Sequence, residues 1–140
     1  MIFEEITPGI FQADLEGALA VCATEKWREH RIGGVITCAT ELSPKYHPEL
    51  KHLKLEMLDE MTVPKEWFDQ AVLFQKHLSG LGSKTVIHCA AAINRSSIVT
   101  AACMMAWGMS PNDAINKLPR KPWGVPTIAS LLAWSKTRTV

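Results

Sequence analysis

The sequence predicts an α/β fold, residues 1–140 as a single domain, with a central mostly parallel sheet of about five strands and helices on both faces. Three observations point to it. Short β-branched runs such as Val35-Ile36-Thr37-Cys38 and Val86-Ile87-His88-Cys89 lack the polar alternation of half-exposed strands, as expected of strands covered on both sides. They alternate along the chain with helix-length stretches of 3.6-residue periodicity, the order a parallel sheet requires. With 140 residues, 47% hydrophobic and 21% charged, the chain can form the core of one ordinary globular domain.

Met1 to Ile6 and Gly9 to Ala13 read as two short strands divided by Thr7-Pro8, an N-terminal hairpin. Asp14 then stands as an N-cap, and Leu15, Leu19, Cys22 and Ala23 recur at helical spacing up to about His30. Gly33-Gly34 should stop that helix before the strand Val35 to Cys38. Pro44 and Pro48 mark Leu42 to Leu50 as loop, and His52 to Leu58 alternates polar with apolar, as a strand with one covered face does. Pro64 suits the first turn of a helix whose apolar face is Trp67, Ala71, Phe74 and Leu78, closed by Gly80 and Gly82. The strand beginning near Lys84 follows, and then a buried helix through the apolar run Ile98 to Met105. Gly108 breaks that run, and Ser110-Pro111-x-Asp113 opens a short helix to Leu118. Pro119 to Pro126 forms a loop carrying Arg120, Lys121 and Trp123, and Ile128, Leu131, Leu132 and Trp134 mark a last amphipathic helix. No repeat or low-complexity tract interrupts this order.

The net charge of +1 is unevenly spread, with −5 on residues 1–80 and +6 on residues 81–140. The basic half favours an anionic ligand. Its charges are too sparse, and too little interleaved with aromatics, to indicate nucleic acid. The longest apolar run, Ile98 to Met109, is too short to span a bilayer, and Met1 to Glu5 lacks the basic start of a secretory signal. A soluble, cytoplasmic chain with no membrane partner is expected. Cys22, Cys38, Cys89 and Cys103 form no C-x2-C pair, so neither a zinc site nor a disulfide framework is expected, and no cofactor is called for.

The chemistry concentrates where the strand Val86 to Cys89 meets the buried helix. The residues between them, Ala90, Ala91, Ala92, Ile93 and Asn94, form a strand-to-helix loop whose backbone N–H groups are unpaired, and the helix dipole adds to their attraction for an anion. The same field stabilises a thiolate on Cys89, the nucleophilic form of cysteine. Arg95 closes the loop with a planar fork that matches two oxygens of a phosphate, and Ser96 adds a hydroxyl. Nucleophile, anion cradle and bidentate cation within seven residues suit attack on phosphorus.

His88-Cys89-x5-Arg95-Ser96 resembles the phosphate-binding loop of the cysteine-dependent protein tyrosine phosphatases, and the short chain resembles their dual-specificity branch. The resemblance implies a metal-independent phosphomonoesterase acting on phosphorylated proteins. Cys89 would form a phosphocysteine, Arg95 and the amides of Ala90 to Asn94 would hold the phosphoryl oxygens, and Ser96 would assist loss of the thiolate. His88 would order the loop by hydrogen bonding. The family places its general acid on the loop before the Pro64 helix, which implies Asp59 for that role, with Glu60 as its rival.

Ala92 departs from the family pattern, which has glycine at that position. If positive φ is needed there, alanine costs on the order of 1 kcal/mol and tilts the amides. This departure supports a second reading, a phosphate-binding module for phosphorylated partners, and an enzyme acting on RNA 5′ ends is a same-class alternative. The loop carries no lysine, which argues against a phosphoinositide headgroup. Cys38, at a neighbouring strand end, is either a redox partner able to trap oxidised Cys89 as a disulfide or a small buried apolar residue. Cys22 and Cys103 are assigned to the core.

Overall fold

A computed structural model describes residues 1–140. Strands β1 (Phe3–Thr7) and β2 (Ile10–Ala13) form the N-terminal hairpin, turning through Gly9 at φ +89°, a conformation open to glycine at no steric cost. With β3 (Ile32–Cys38), β4 (Lys51–Leu55) and β5 (Lys84–His88) they make one five-stranded sheet of order β1-β2-β5-β3-β4. Every pairing beyond the hairpin is parallel.

The period of two along the central strands divides their side chains between two cores. Ile10, Ile36, Leu55 and Ile87 face the larger core, which is filled from α2 (Lys65–Gly80), α3 (Arg95–Ala106), α4 (Pro111–Lys117) and α5 (Val125–Thr137). Phe11, Val35 and Val86 face the smaller one, where α1 (Leu15–Cys22) contributes Ala18, Val21 and Cys22. The α/β class and strand number expected from the sequence are those observed. α3 is buried at every position from Arg95 to Met105, so it needs no polar stripe.

Several boundaries differ from the sequence-based expectation. Helix α1 ends at Cys22 and does not run on toward His30, because the Thr24 hydroxyl donates back to the Ala20 carbonyl at 2.8 Å and accepts from the Lys26 amide at 3.2 Å. That hydroxyl closes one helix and caps a separate 3-10 turn, Glu25–Arg28. Gly33-Gly34 does not stop a helix but lies inside β3, where a Cβ on Gly34 would stand 2.8 Å from both Phe74 and Leu78 of α2. Glycine there permits close approach of helix to sheet. β4 ends at Leu55, and α5 turns Thr127, Ser130, Leu131 and Trp134 inward while Leu132 is exposed.

Because β3, β4 and β5 run parallel, their carboxyl ends share one rim, where ligands of α/β sheets collect. Cys38 ends β3, Cys89 follows β5 directly, and Asp59 lies on the segment after β4.

Candidate active site

β5 delivers Cys89 to the rim, and the next five residues turn into α3 at Arg95 with no side-chain cap on the helix N-terminus. The free amides of that first turn therefore face whatever the loop encloses. Cys89 Sγ is buried and lies 3.2 Å from Ser96 Oγ. A cavity of about 120 Å³ opens above it, lined by Asp59, Ala90, Ala91, Ile93, Asn94, Arg95 and Trp123. That is several water volumes, room for a phosphoryl group but far short of a nucleotide-sized site.

Arg95 is only 5% exposed, and its end-on face is taken. Nη1 and Nη2 each donate to a Glu41 carboxylate oxygen at 2.6 Å, and Nη1 also donates to the Met57 carbonyl at 3.1 Å. The guanidinium holds the Glu41 carboxyl down to about 2, and Glu41 in turn raises the arginine above its ordinary range. The side-on face differs. Nε is buried without a hydrogen-bond acceptor, and Asp59 Oδ1 is 3.2 Å away but off the N–H axis. A buried donor without an acceptor, on the wall of a cavity, is a place prepared for a ligand oxygen. Glu60 does not line the cavity; it is exposed and turns the chain at φ +54°.

His88 orders the loop from below. The Cys89 carbonyl, 3.2 Å away, can only accept, so Nδ1 carries the proton and Nε2 is left as the acceptor facing the hydroxyls of Thr37, 2.9 Å away, and Tyr46, which also contact each other. Burial pushes its pKa down to about 4, so the ring is neutral at physiological pH. Cys38 is fully buried in the same core as Cys89, and burial drives its thiol well above the ordinary range. Cys22 and Cys103 are core thiols pushed up to about 12 by burial.

Three supporting residues were not found from the sequence. Glu41 lies three residues past the end of β3, and Gln12 and Arg120 meet behind the loop. Gln12 had a signal: a fully buried polar residue inside the apolar strand Ile10-Phe11-Gln12-Ala13 must have partners. Asn94 does more than line the cavity, since its Oδ1 accepts from the amides of Trp123 and Gly124 at 3.0 and 3.2 Å and ties the loop to the start of α5. No three His, Cys, Asp or Glu side chains come together as a metal site would need.

Ala92 adopts φ +60°, so the position does use the left-handed region. It lies fully buried, and its carbonyl is held by Gln12 Nε2 at 3.1 Å and Arg120 Nε at 2.8 Å. Such clamping lets the surroundings over-determine a strained residue. For Ala92→Gly, relief of about 1–2 kcal/mol of strain is opposed by roughly 0.8 for the lost buried methyl and 0.4–1 for unfolded-chain entropy. The expected change in stability is therefore within about 1 kcal/mol of zero, a Tm shift of a few degrees in a melting scan. A shift beyond about 10 °C would show the clamps to be insufficient.

A cysteine and an arginine thus bracket a helix N-terminus at the rim of a largely parallel sheet. The chain belongs to the dual specificity phosphatases: residues 17–136 match the family described as "Dual specificity phosphatase, catalytic domain". It is similar to dual specificity protein phosphatase Mpk3 of Drosophila melanogaster, 29% identical over 123 residues, which cover 84% of this chain and 29% of that protein. The chain thus spans under a third of that relative's length.

Among solved structures it resembles a mouse putative dual specificity phosphatase complexed with zinc tungstate, with a TM-score of 0.86, 16% identity, and 96% and 86% of the two chains covered. It also resembles a human tyrosine phosphatase-like serine/threonine/tyrosine-interacting protein, with a TM-score of 0.80, 21% identity, and 96% and 95% covered. At such identities the likeness establishes the fold. No helix is long and apolar enough to cross a membrane.

Proposed function

We propose that this chain hydrolyses phosphate monoesters of proteins, phosphotyrosine and also phosphoserine or phosphothreonine, through a phosphocysteine on Cys89. The observation that carries this reading is Arg95 Nε, buried without a hydrogen-bond acceptor and 3.2 Å from Asp59, in the wall of the cavity that holds Cys89. Two phosphoryl oxygens would take Nε–H and the second Nη2 hydrogen, while Glu41 keeps the end-on face and fixes the fork. The loop amides hold the third oxygen and the charge that spreads over all three in the transition state.

In the first step the Cys89 thiolate forms an S–P bond as the P–O bond to the leaving oxygen breaks, and Asp59 supplies that oxygen's proton. In the second, water attacks phosphorus, the Asp59 carboxylate takes its proton, and the S–P bond breaks onto sulfur as Ser96 donates to the departing thiolate. Neither the binding-module reading nor the RNA 5′-end reading gains support from the family match.

Acid quenching during turnover of a labelled phosphopeptide should leave phosphate, at most one per chain, on the Cys89 peptide, and label on any other residue would overturn the mechanism. Asp59→Asn should lower kcat on phosphotyrosine by on the order of a hundredfold to ten-thousandfold. The loss should be far smaller for nitrophenyl phosphate, whose leaving group departs with little need of a proton. Equal losses on both substrates would remove Asp59 from the role, and Glu60→Gln measured alongside would show whether the neighbour holds it.

A further inference from the structure

The mechanism above needs the Ser96 hydroxyl to point its hydrogen at sulfur, and the source of that direction lies in β2. Gln12 is fully buried, with four polar contacts. Its Nε2 stands 2.9 Å from Ser96 Oγ, 2.9 Å from Ser97 Oγ and 3.1 Å from the Ala92 carbonyl, and its Oε1 lies 3.0 Å from Arg120 Nη2. Arg120 has no acceptor and the Ala92 carbonyl has no donor, so these two contacts independently fix which end of the carboxamide is which. The amide N–H end must face the serines.

The consequence for Ser96 is specific. Nε2 has two hydrogens for three acceptors and cannot itself accept, so it takes no hydrogen from Ser96; the neutral Cys89 thiol donates to Ser96 Oγ at 3.2 Å, and once the thiol is ionised the Ser96 hydrogen is left for sulfur. Ser97 cannot compete for the Ser96 oxygen, because its hydroxyl donates to the Arg120 carbonyl at 3.1 Å. The carboxamide is steadied from outside by Arg120, whose Nη2 also pairs with Glu4 at 2.6 Å.

We infer that Gln12 is a positioning residue that orients the Ser96 hydroxyl as a donor to the Cys89 thiolate, and so controls breakdown of the phosphocysteine. This rests on the catalytic reading above and extends it to a residue of the N-terminal hairpin. It acts on the sulfur only through Ser96, so its effect must vanish when Ser96 has no hydroxyl.

The test compares wild type, Ser96→Ala, Gln12→Met and the double variant with nitrophenyl phosphate in rapid mixing, where the leaving group departs fast and slowed hydrolysis of the intermediate shows as a burst. Ser96→Ala should lower kcat by about tenfold to a hundredfold and produce a burst of nitrophenol. Gln12→Met should reproduce most of that loss and the burst, with KM changed little, and the double variant should be no slower than Ser96→Ala. The pH profile of iodoacetamide alkylation should show Gln12→Met raising the Cys89 thiol pKa as far as Ser96→Ala does, a readout that unspecific loosening of the fold would not produce.

If Gln12→Met does not fold, Gln12→Glu serves instead. It keeps the contact to Arg120 but offers Ser96 an acceptor, and the same loss and burst are expected. Losses that multiply in the double variant, or a Gln12 variant within about twofold of wild type in kcat and alkylation, would overturn the inference alone. A wild type without Cys89-dependent turnover would overturn the catalytic reading and this inference with it.

Discussion

Cys89→Ser is expected to remove turnover of an aryl phosphate by on the order of ten-thousandfold or more, with chelator present throughout, while leaving phosphopeptide binding intact. A serine hydroxyl in place of the thiol is a nucleophile only if something takes its proton. The pocket holds nothing suited to this. His88, the nearest imidazole in sequence, spends Nδ1–H on the Cys89 carbonyl and Nε2 on Thr37 and Tyr46, and burial pushes its pKa down to about 4. Asp59 lies beside Arg95 on the leaving-group side of the cavity in the mechanism proposed. Binding, in contrast, depends on the loop amides and Arg95, none of which the substitution alters.

Calorimetric titration with a phosphopeptide should therefore give a Kd within a few fold of wild type alongside the lost activity. Turnover that survives in Cys89→Ser would sink the mechanism. An inactive wild type that still binds phosphopeptide would make the chain a recognition module.

The part of this site that could be read from local pattern is the part that is contiguous, whereas Asp59, which also lines the cavity, was reached only through the family resemblance. Val86 to Ser97 declares a strand, a loop and a helix through local pattern, and the spacing from Cys89 to Arg95 follows from how far such a loop must turn. Ala92 was legible as a residue at odds with its backbone, and its φ of +60° is the conformation that the alanine-for-glycine departure warned of. Glu41 and Gln12 were not legible, for a shared reason. Their roles arise from strand adjacency: β3 and β2 flank β5 on either side, which brings Glu41 over the guanidinium and Gln12 under the loop from 54 and 84 residues away. Local periodicity carries no record of which strands become neighbours. The misread Gly33-Gly34 has the same origin, since the closeness of Phe74 and Leu78 that demands glycine there belongs to packing between distant segments.

Arg95→Lys follows from the division of labour on the guanidinium and should lower kcat/KM by about a thousandfold, the scale of losing one to two preorganised oxyanion donors. That corresponds to roughly 4 kcal/mol of transition-state stabilisation. The charge is conserved, so a simple electrostatic role would predict little change. Geometry predicts otherwise. The guanidinium satisfies Glu41 with one edge and presents Nε and Nη2 to the cavity with the other, both in one plane, whereas an ammonium has a single nitrogen that must choose between the carboxylate and the phosphoryl group.

Glu41 competes for that nitrogen with a full negative charge, its carboxyl held down to about 2 in the wild type by the arginine it pairs with. Removing the competitor should then help: Glu41→Gln in the Arg95→Lys background is expected to recover part of the lost activity, while Glu41→Gln alone should cost about tenfold through a loosened fork. Glu41→Gln alone should also lower stability by about 1–3 kcal/mol, since Arg95 is only 5% exposed and its two Nη groups lose one of their two carboxylate acceptors. An Arg95→Lys enzyme within about tenfold of wild type, or a double variant worse than both single ones, would show that charge and not the two-edged fork is what the loop requires.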